Sequence, residues 1–485
     1  MGKKFPSNYL IMGRKKKVYE KIKITGFADK GKGVGRTEDG KVLFVDNVVP
    51  GDIVDVQVRR KKSSYYLCMP KTIHHYSEDR VEPFCEHFGI CGGCKLQYYP
   101  YEKQIEEKEN TIRQAFRRIG KVEVGEFFPI IPAPKTRYYR NKLEFTFSNK
   151  RWLEVHELGK KHISPYEDVL GFHRPAAYDK IVDIKHCYLQ PDPSNALRLA
   201  VKAIAKEMEL GFYDLRTHEG LMRHVIFRTT TLGEIMVVIS FLENNQEQIQ
   251  GFFEKLIALH PEITCAYYCI NGKTNDYVLD LDMIHQHGKE WIEEELRNVR
   301  FRIGPKSFFQ TNSEQAVNLF NVVEDFAGLT GNENVYDLYT GIGSIALYVA
   351  HKCKQVVGIE EVELAIEDAK VNMQVNDIDN AVFYAGDVKN ILTTEFADKH
   401  GKPDVLITDP PRAGMHPKVV QMLLELEAPK VVYVSCNPAT QARDLNILSE
   451  KYDVEKSQAV DMFPHTYHIE NVVLLKLKTK SDEEE

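Results

Sequence analysis

The stretch Val335–Leu347, VYDLYTGIGSIAL, decides the architecture of the C-terminal half. Its apolar run through Asp337 and Leu338 predicts a buried strand, Gly341 and Gly343 predict a turn, and the residues from Ser344 predict a helix. A strand that enters a helix through a glycine turn lets a ligand approach the backbone. The helix start also offers N–H groups that lack intrahelical partners. The third glycine of G-x-G-x-x-G is missing, so the turn alone fits any dinucleotide or adenosyl cofactor.

Outward from this stretch, the pattern predicts helix 313–327, strand 334–338, helix 344–351, strand 355–360, helix 363–374, strands 381–385 and 404–408, helix 416–426 and strand 431–435. Such alternation specifies a doubly wound parallel sheet, in which ligands sit beyond the carboxyl ends of the strands. Glu360 ends VVGIE at the distance where an acid takes both ribose hydroxyls. Asp387 in AGDV is placed to accept from an adenine amino group, which favours S-adenosylmethionine over NAD. Asp409, in LITDPPRAGM at 406–415, should face the reactive end of the cofactor, although Asp-Pro-Pro also suits a rigid turn with a solvated acid. Cys436, in YVSCNP at 433–438, follows the next strand, and Pro438 is expected to stop that strand and leave the thiol exposed. The position favours a nucleophile over a core thiol, since a reactive thiol needs an open, polar setting. Glu470, in FPHTYHIENVVLL at 463–475, precedes a last apolar strand that could carry it into the same cleft; a lone acid there is normally solvated.

The N-terminal half has a different texture. Residues 1–75 hold 17 Lys and Arg against 7 Asp and Glu, in a chain of net charge −6, so a basic module sits on an acidic body and suits a polyanion. From Lys21, short alternating runs predict a small OB-like β-barrel, with Gly31, Gly33 and Gly35 in a turn between strands. Residues 95–121 carry a helical pattern, and 138–303 read as antiparallel strands with one helix at SNALRLAVKAIAKEM. In CEHFGICGGC, Cys85, Cys91 and Cys94 form C-x5-C-x2-C, and Cys187 is the candidate fourth ligand for zinc or a 4Fe-4S cluster. Cys265 and Cys269 read as core.

The expected domains are a barrel at 14–75, a central α+β domain at 76–305 whose helix 95–121 packs on the catalytic domain, and a Rossmann-like domain at 306–480. The closing SDEEE reads as a solubilising tail. Without an apolar run of membrane length or a signal peptide, and with nine cysteines, the chain is expected in the cytoplasm with reduced thiols and no disulfide framework.

GFADKGKGVGR, VVPGD, the four cysteines, SFFQTN, DLYTGIGS, TDPPRAG, VSCNP and FPHTYHIE occur in one order along the chain. The set resembles the RNA uracil-5-methyltransferase family, in the branch with a TRAM domain and an iron–sulfur cluster that acts on bacterial 23S ribosomal RNA. The resemblance implies Cys436 as nucleophile and Glu470 as base. It places Gln310, Tyr339, Glu360 and Asp409 around S-adenosylmethionine and the target base, and makes Cys85, Cys91, Cys94 and Cys187 ligands of a 4Fe-4S cluster; Ser344, at the helix start, and Asp387 are further expected contacts to the cofactor. It departs from many relatives at Thr340, where they carry cysteine, and from some at Ser344, where they carry asparagine. Phe308, Phe309 and Tyr339 are candidate stacking faces, and Arg140, Lys142 and Arg174 candidate phosphate contacts. The expected protein is a monomer on ribosomal RNA. The competing readings are a transfer-RNA uracil methyltransferase and a non-catalytic RNA-binding scaffold, the latter disfavoured by intact Cys436, Glu470 and Asp409.

Overall fold

Alternating Val and Ile residues near the N-terminus fold into six short strands, Val18–Lys23, Gly26–Ala28, Lys32–Arg36, Val42–Val45, Ile53–Lys61 and Tyr65–His75, hydrogen-bonded in the order first, fifth, sixth, fourth, third, second. The computed structural model describes residues 17–479 apart from 161 and 176, so the basic residues 1–16 and the acidic tail lie outside it. Val54, Val56 and Val58 turn inward against Ile22, Leu43, Val45 and Cys68. Gly33 and Gly35 belong to a strand rather than to the expected turn. A Cβ on Gly35 would stand 2.4 Å from Ile22, and one on Gly33 2.4 Å from Val48, so missing side chains let the sheet curl onto itself. The module is tied off by a buried ion pair: Arg80 donates through Nε and Nη2 to Asp52 at 2.9 and 2.6 Å. Asp52 also accepts from the N–H groups of Val49 and Ser77.

The central region forms a seven-stranded sheet in the order 177–183, 166–174, 142–150, 222–229, 235–241, 265–270, 284–288. The sheet is not wholly antiparallel as expected, because Ile235–Phe241 and Cys265–Ile270 pair in parallel. The reason is a helix absent from the sequence reading, Gln246–Leu259, which supplies the crossover that a parallel pair requires. It packs through Phe252, Phe253 and Leu256 against the core shared with helix Ser194–Glu207.

The third sheet runs 381–385, 355–360, 334–338, 405–408, 430–435, 470–477, 452–460, 124–127. Its first five strands are parallel and both faces are covered: Val335 belongs to one core and its neighbour Tyr336 to another. Strand Glu470–Leu477 then runs antiparallel between 430–435 and 452–460. The expected helix 95–121 is shorter: Tyr101–Ala115 is α-helical, Phe116–Gly120 widens into a π turn, and Pro100 marks the start. Beyond it, Val124–Phe127 pairs with 452–460, so this segment completes the catalytic sheet.

Replacing Arg80 by Met would leave the Asp52 carboxylate buried and unpaired, at a cost of about 3–5 kcal/mol. Denaturant unfolding should show that loss, whereas Lys103→Met, in an exposed pair with Glu106, should change stability by under about 1 kcal/mol.

Candidate active site

Cys436 lies one residue past strand Lys430–Ser435. Pro438 does not merely end that strand; it opens helix Pro438–Leu448, where its missing N–H costs nothing, and Asn437 caps the helix by accepting from Ala439 N–H at 3.1 Å. Cys436 therefore sits in a tight strand-to-helix turn. Asn437 Nδ2 and Thr440 Oγ1 both donate to the carbonyl of Arg412, at 2.9 and 3.3 Å, and so fasten the Asp409–Met415 loop onto this turn.

Asp409 follows strand Val405–Thr408, and its N–H reaches the Leu338 carbonyl at 3.3 Å. Glu470 begins the last strand, opposite Val460, and is buried. Burial pushes the Glu470 carboxyl well above the usual range, and the neighbouring Asp409 pushes it further. Burial, then Asp337, raises Asp409 to about 7. The Cys436 thiol is pushed up to about 11 by burial, then by Glu470 and Asp409, while the Arg412 guanidinium beside it pulls the other way. Thus Cys436 and Asp409, past the carboxyl ends of two parallel strands, meet Glu470 at the amino end of the antiparallel strand beside them, with Arg412 as their counter-cation.

Along the same edge, Gly341 and Gly343 take φ of 57° and 81°, a left-handed conformation that glycine adopts freely. Glu360 fixes the turn, accepting from Gly341 N–H at 3.1 Å and from Val362 N–H at 3.0 Å. Tyr339, at φ 64°, is held in a strained left-handed conformation by its N–H to the Ile359 carbonyl at 2.9 Å. Ser344 is the first residue of helix Ser344–Val349. Asp387 caps helix Val388–Ile391 and pairs with Lys389; a carboxylate has about four acceptor positions, which leaves room for an adenine amine. Gln310 is buried on the loop before helix Ser313–Ala327, with its carbonyl held by Asn141 Nδ2 at 2.9 Å.

Two residues of this edge escaped the sequence reading. Arg412 carries no role in the sequence reading, yet its side chain reaches the Cys436 thiol. Asp337 was read as part of an apolar strand, yet it is a buried carboxyl raised to about 7 by burial. Its Oδ2 accepts from Thr340 Oγ1 at 2.5 Å and Ala346 N–H at 3.1 Å, while Oδ1 has no partner. An acid inside an otherwise apolar strand, ahead of a glycine turn, was the available signal. A crevice of raised carboxyls with an orphaned acceptor fits a ligand that brings positive charge, and S-adenosylmethionine carries both a sulfonium and an ammonium.

The cleft that opens onto Cys436 measures about 380 Å³ and is walled by three parts of the chain. Phe27, Lys30 and Gly31 come from the barrel, Gln104 and Lys108 from helix Tyr101–Ala115, and Arg412, Tyr467 and His468 from the catalytic domain. Phe308 is exposed and free to stack, but Phe309 is buried in the core and is corrected as a stacking face. Arg174 stacks on Trp152 at 5.0 Å and donates to the Ile90 carbonyl at 3.2 Å.

Cys85, Cys91, Cys94 and Cys187 line a separate cavity, none of them in a disulfide. Asn195 clamps the Cys187 backbone with two hydrogen bonds, at 2.8 and 3.0 Å. Burial pushes Cys91 and Cys94 to about 12 and Cys187 to about 11. Among the described residues no three His, Cys, Asp or Glu side chains form a group able to hold a metal ion, so the expected metal centre is not shown by this geometry.

The sheet order and this crevice define an S-adenosylmethionine-dependent methyltransferase fold. The chain belongs to the tRNA (Uracil-5-)-methyltransferase family, whose model matches residues 194–478, and a TRAM domain model matches residues 17–67. It is 51% identical to an RNA methyltransferase of Bacteroides thetaiotaomicron over 93% of this chain and 100% of that protein. It is 48% identical to one of Porphyromonas gingivalis over 95% of this chain and 100% of that protein. The crystal structure of Pyrococcus abyssi tRNA (uracil-54, C5)-methyltransferase in complex with S-adenosyl-L-homocysteine superimposes with a TM-score of 0.72 at 29% identity, covering 94% of this chain and 100% of that one. The chain is accordingly an S-adenosylmethionine-dependent RNA methyltransferase, and no helix among its described residues is long and apolar enough to cross a membrane.

Because a cation binds the ionised forms of Asp337 and Asp409, both raised to about 7, affinity for S-adenosylmethionine should climb with pH. Calorimetric titration should find binding weaker at pH 6 than at pH 8 by about tenfold for each of the two carboxyls that must ionise, about 10²-fold for both. A flat profile would contradict the assignment. The sign for the free protein is opposite: raised carboxyls bind more protons in the native state, so stability falls as pH rises from about 4 through 7.

Proposed function

We propose that the protein forms 5-methyluridine in 23S ribosomal RNA, with Cys436 as nucleophile and Glu470 as base. The observation that carries this reading is the meeting of a thiol, two carboxyls and a guanidinium in one crevice, at Cys436, Glu470, Asp409 and Arg412. Carbon 5 of uracil is too poor a nucleophile to take a methyl group unaided. Addition of the Cys436 thiolate to carbon 6 breaks the C5–C6 double bond and leaves an enolate that is nucleophilic at carbon 5. Arg412 favours the thiolate against the burial that opposes it. S-adenosylmethionine, which Tyr339, Ser344, Glu360, Asp387 and Asp409 would hold, would supply the methyl group as a sulfonium: the bond from carbon 5 to the methyl forms as the sulfur–methyl bond breaks, and neutral S-adenosylhomocysteine leaves. Gln310 and Asp409 hold the uracil edge. Glu470, whose raised affinity for protons suits a base, then takes the carbon 5 proton, and elimination restores the double bond and frees Cys436.

A stacked base cannot reach this crevice, so the target nucleotide is flipped or already single-stranded, at a cost of about a few kcal/mol. Phe27 and Lys30 of the barrel border the cleft, which supports a role for the basic module in gripping the flanking RNA.

Cys85, Cys91, Cys94 and Cys187 would hold a 4Fe-4S cluster. Four unbonded thiols around one cavity, Cys187 buried and Cys85, Cys91 and Cys94 half-buried, suit a group whose positive charge would ionise them, and a cluster spreads its ligands more widely than a single ion does. Its role there is to staple the central domain. The working protein is a cytoplasmic monomer.

A transfer-RNA substrate is the second reading, supported by the full-length likeness to the Pyrococcus abyssi enzyme. Mapping 5-methyluridine in ribosomal and transfer RNA of a deletion strain decides between them: loss from 23S RNA is the expected result, and loss from transfer RNA alone favours the second reading. Glu470→Gln should accumulate enzyme covalently bound to unmodified-sequence RNA, seen as a denaturation-resistant band; rapid release of product would contradict the base. Protein purified without oxygen should be brown with stoichiometric iron, and zinc alone would overturn the cluster.

A further inference from the structure

The carboxylate of Glu470 must meet a carbon 5 proton whose position is fixed by the Cys436 bond, so its own placement decides the rate of the last chemical step. Glu470 stands opposite Val460 in the strand pair, and residues 461–469 form the loop that joins them. Asp461, next to Val460, is fully buried, and so is its partner Lys108, 353 residues away on helix Tyr101–Ala115.

The contacts are dense and all point the same way. Lys108 Nζ donates to Asp461 Oδ1 at 2.6 Å and to the Phe463 carbonyl at 3.1 Å. Tyr101 OH donates to Asp461 Oδ2 at 2.8 Å. Phe463 N–H donates to Asp461 Oδ1 at 3.2 Å. One turn along the helix from Tyr101, Gln104 Oε1 accepts from His465 N–H at 3.1 Å, at a residue held in the left-handed region with φ 62°. Three residues on one helix therefore fix the loop at positions 461, 463 and 465. Lys108 also lines the cleft that opens onto Cys436.

A buried ion pair is weak evidence for stability, because desolvation of two charges offsets their attraction; its best attested use is to specify one arrangement. A nine-residue loop without such a clamp has many conformations and would carry Glu470 with it.

We infer that Lys108 and Asp461 are positioning residues for Glu470, and that helix Tyr101–Ala115 sets the geometry of proton removal at carbon 5. The inference rests on the proposed roles of Cys436 and Glu470. It predicts a selective fault. Thiol addition needs Cys436 and Arg412, whereas the hydrogen bonds of Lys108 run to Asp461 and the Phe463 carbonyl on the loop that leads into Glu470, and proton removal needs Glu470 in place. Misplacement of a reacting group by about 1 Å can cost about 10²-fold in rate.

The test compares wild type with Lys108→Met, Asp461→Asn and the charge-neutral double variant Lys108→Met/Asp461→Asn, the last made because a single change leaves one buried charge unpaired. Two rates are measured on the full-length protein: adduct formation with RNA containing 5-fluorouridine, and product release from normal RNA. The expected result in Asp461→Asn, whose side chain does not line the cleft, is adduct formation within about twofold of wild type, kcat on normal RNA lower by about 10²-fold with little change in KM, and a covalent enzyme–RNA species that accumulates on normal RNA; Lys108→Met, at a residue that lines the cleft, shows the same accumulation together with a raised KM. Lys108→Arg, which can still pair with Asp461, should recover part of kcat. Unchanged kcat in the double variant would overturn the inference. Equal loss of adduct formation, S-adenosylmethionine binding and turnover in every variant would also overturn it, since the pair would then be a fold contact only. Absence of any adduct in wild type would instead sink the nucleophile reading on which the inference rests.

Discussion

Three carboxyls and a thiol share a crevice too poor in water to ionise them together. Asp337, Asp409 and Glu470 each bind protons more tightly for being buried, and Asp409 is raised further by Asp337, as Glu470 is by Asp409. Everything else at the site answers to that arrangement. The sheet brings the groups together because each sits at or near a strand end, and the burial that keeps them protonated is offset by positive charge beside them. Arg412 supplies part of it from within the chain, and a cationic methyl donor supplies the rest when bound.

The rest of the fold holds that edge from outside. The glycine turn at Gly341 and Gly343 is pinned by Glu360, and the Asp409–Met415 loop is fastened to the Cys436 turn through the Arg412 carbonyl. Helix Tyr101–Ala115 and strand Val124–Phe127 come from far upstream in sequence yet complete the catalytic sheet, which puts the barrel loop at Phe27–Gly31 on the lip of the same cleft. RNA that reaches Cys436 must pass the barrel, the linker helix and the catalytic loop together.

Much of this was legible in the residues. Period-2 and helical patterns gave strand 334–338, strand 355–360 and helix 313–327 within a residue, because each is long, strongly patterned and bounded by turn residues. Cys436, Asp409 and Glu470 were legible as neighbours, since acids and a thiol at strand ends of an open α/β sheet share one place, whereas Asp337, inside its strand, and Arg412 were not. What failed did so for local reasons. Pro438 was read as a stop because proline breaks strands, although at the first helical position it starts one. Gly33 and Gly35 suggested a turn because the contact that needs them, with Ile22, Ile24 and Val48, lies elsewhere in sequence. Helix Gln246–Leu259 was missed, and with it the parallel pair it creates. Lys108 and Asp461 carry no assignment in the sequence reading, and no pattern within either segment announces a partner 353 residues away.

The central claim is that Cys436 forms the bond to the target base. Incubating wild-type protein with S-adenosylmethionine and RNA carrying 5-fluorouridine, then digesting and sequencing the adduct by mass spectrometry, tests it directly. The account predicts a methylated fluorouridine bonded through carbon 6 to Cys436, and no adduct in Cys436→Ala. Methylation of normal RNA by Cys436→Ala at the wild-type rate, or an adduct on any other residue, would contradict it.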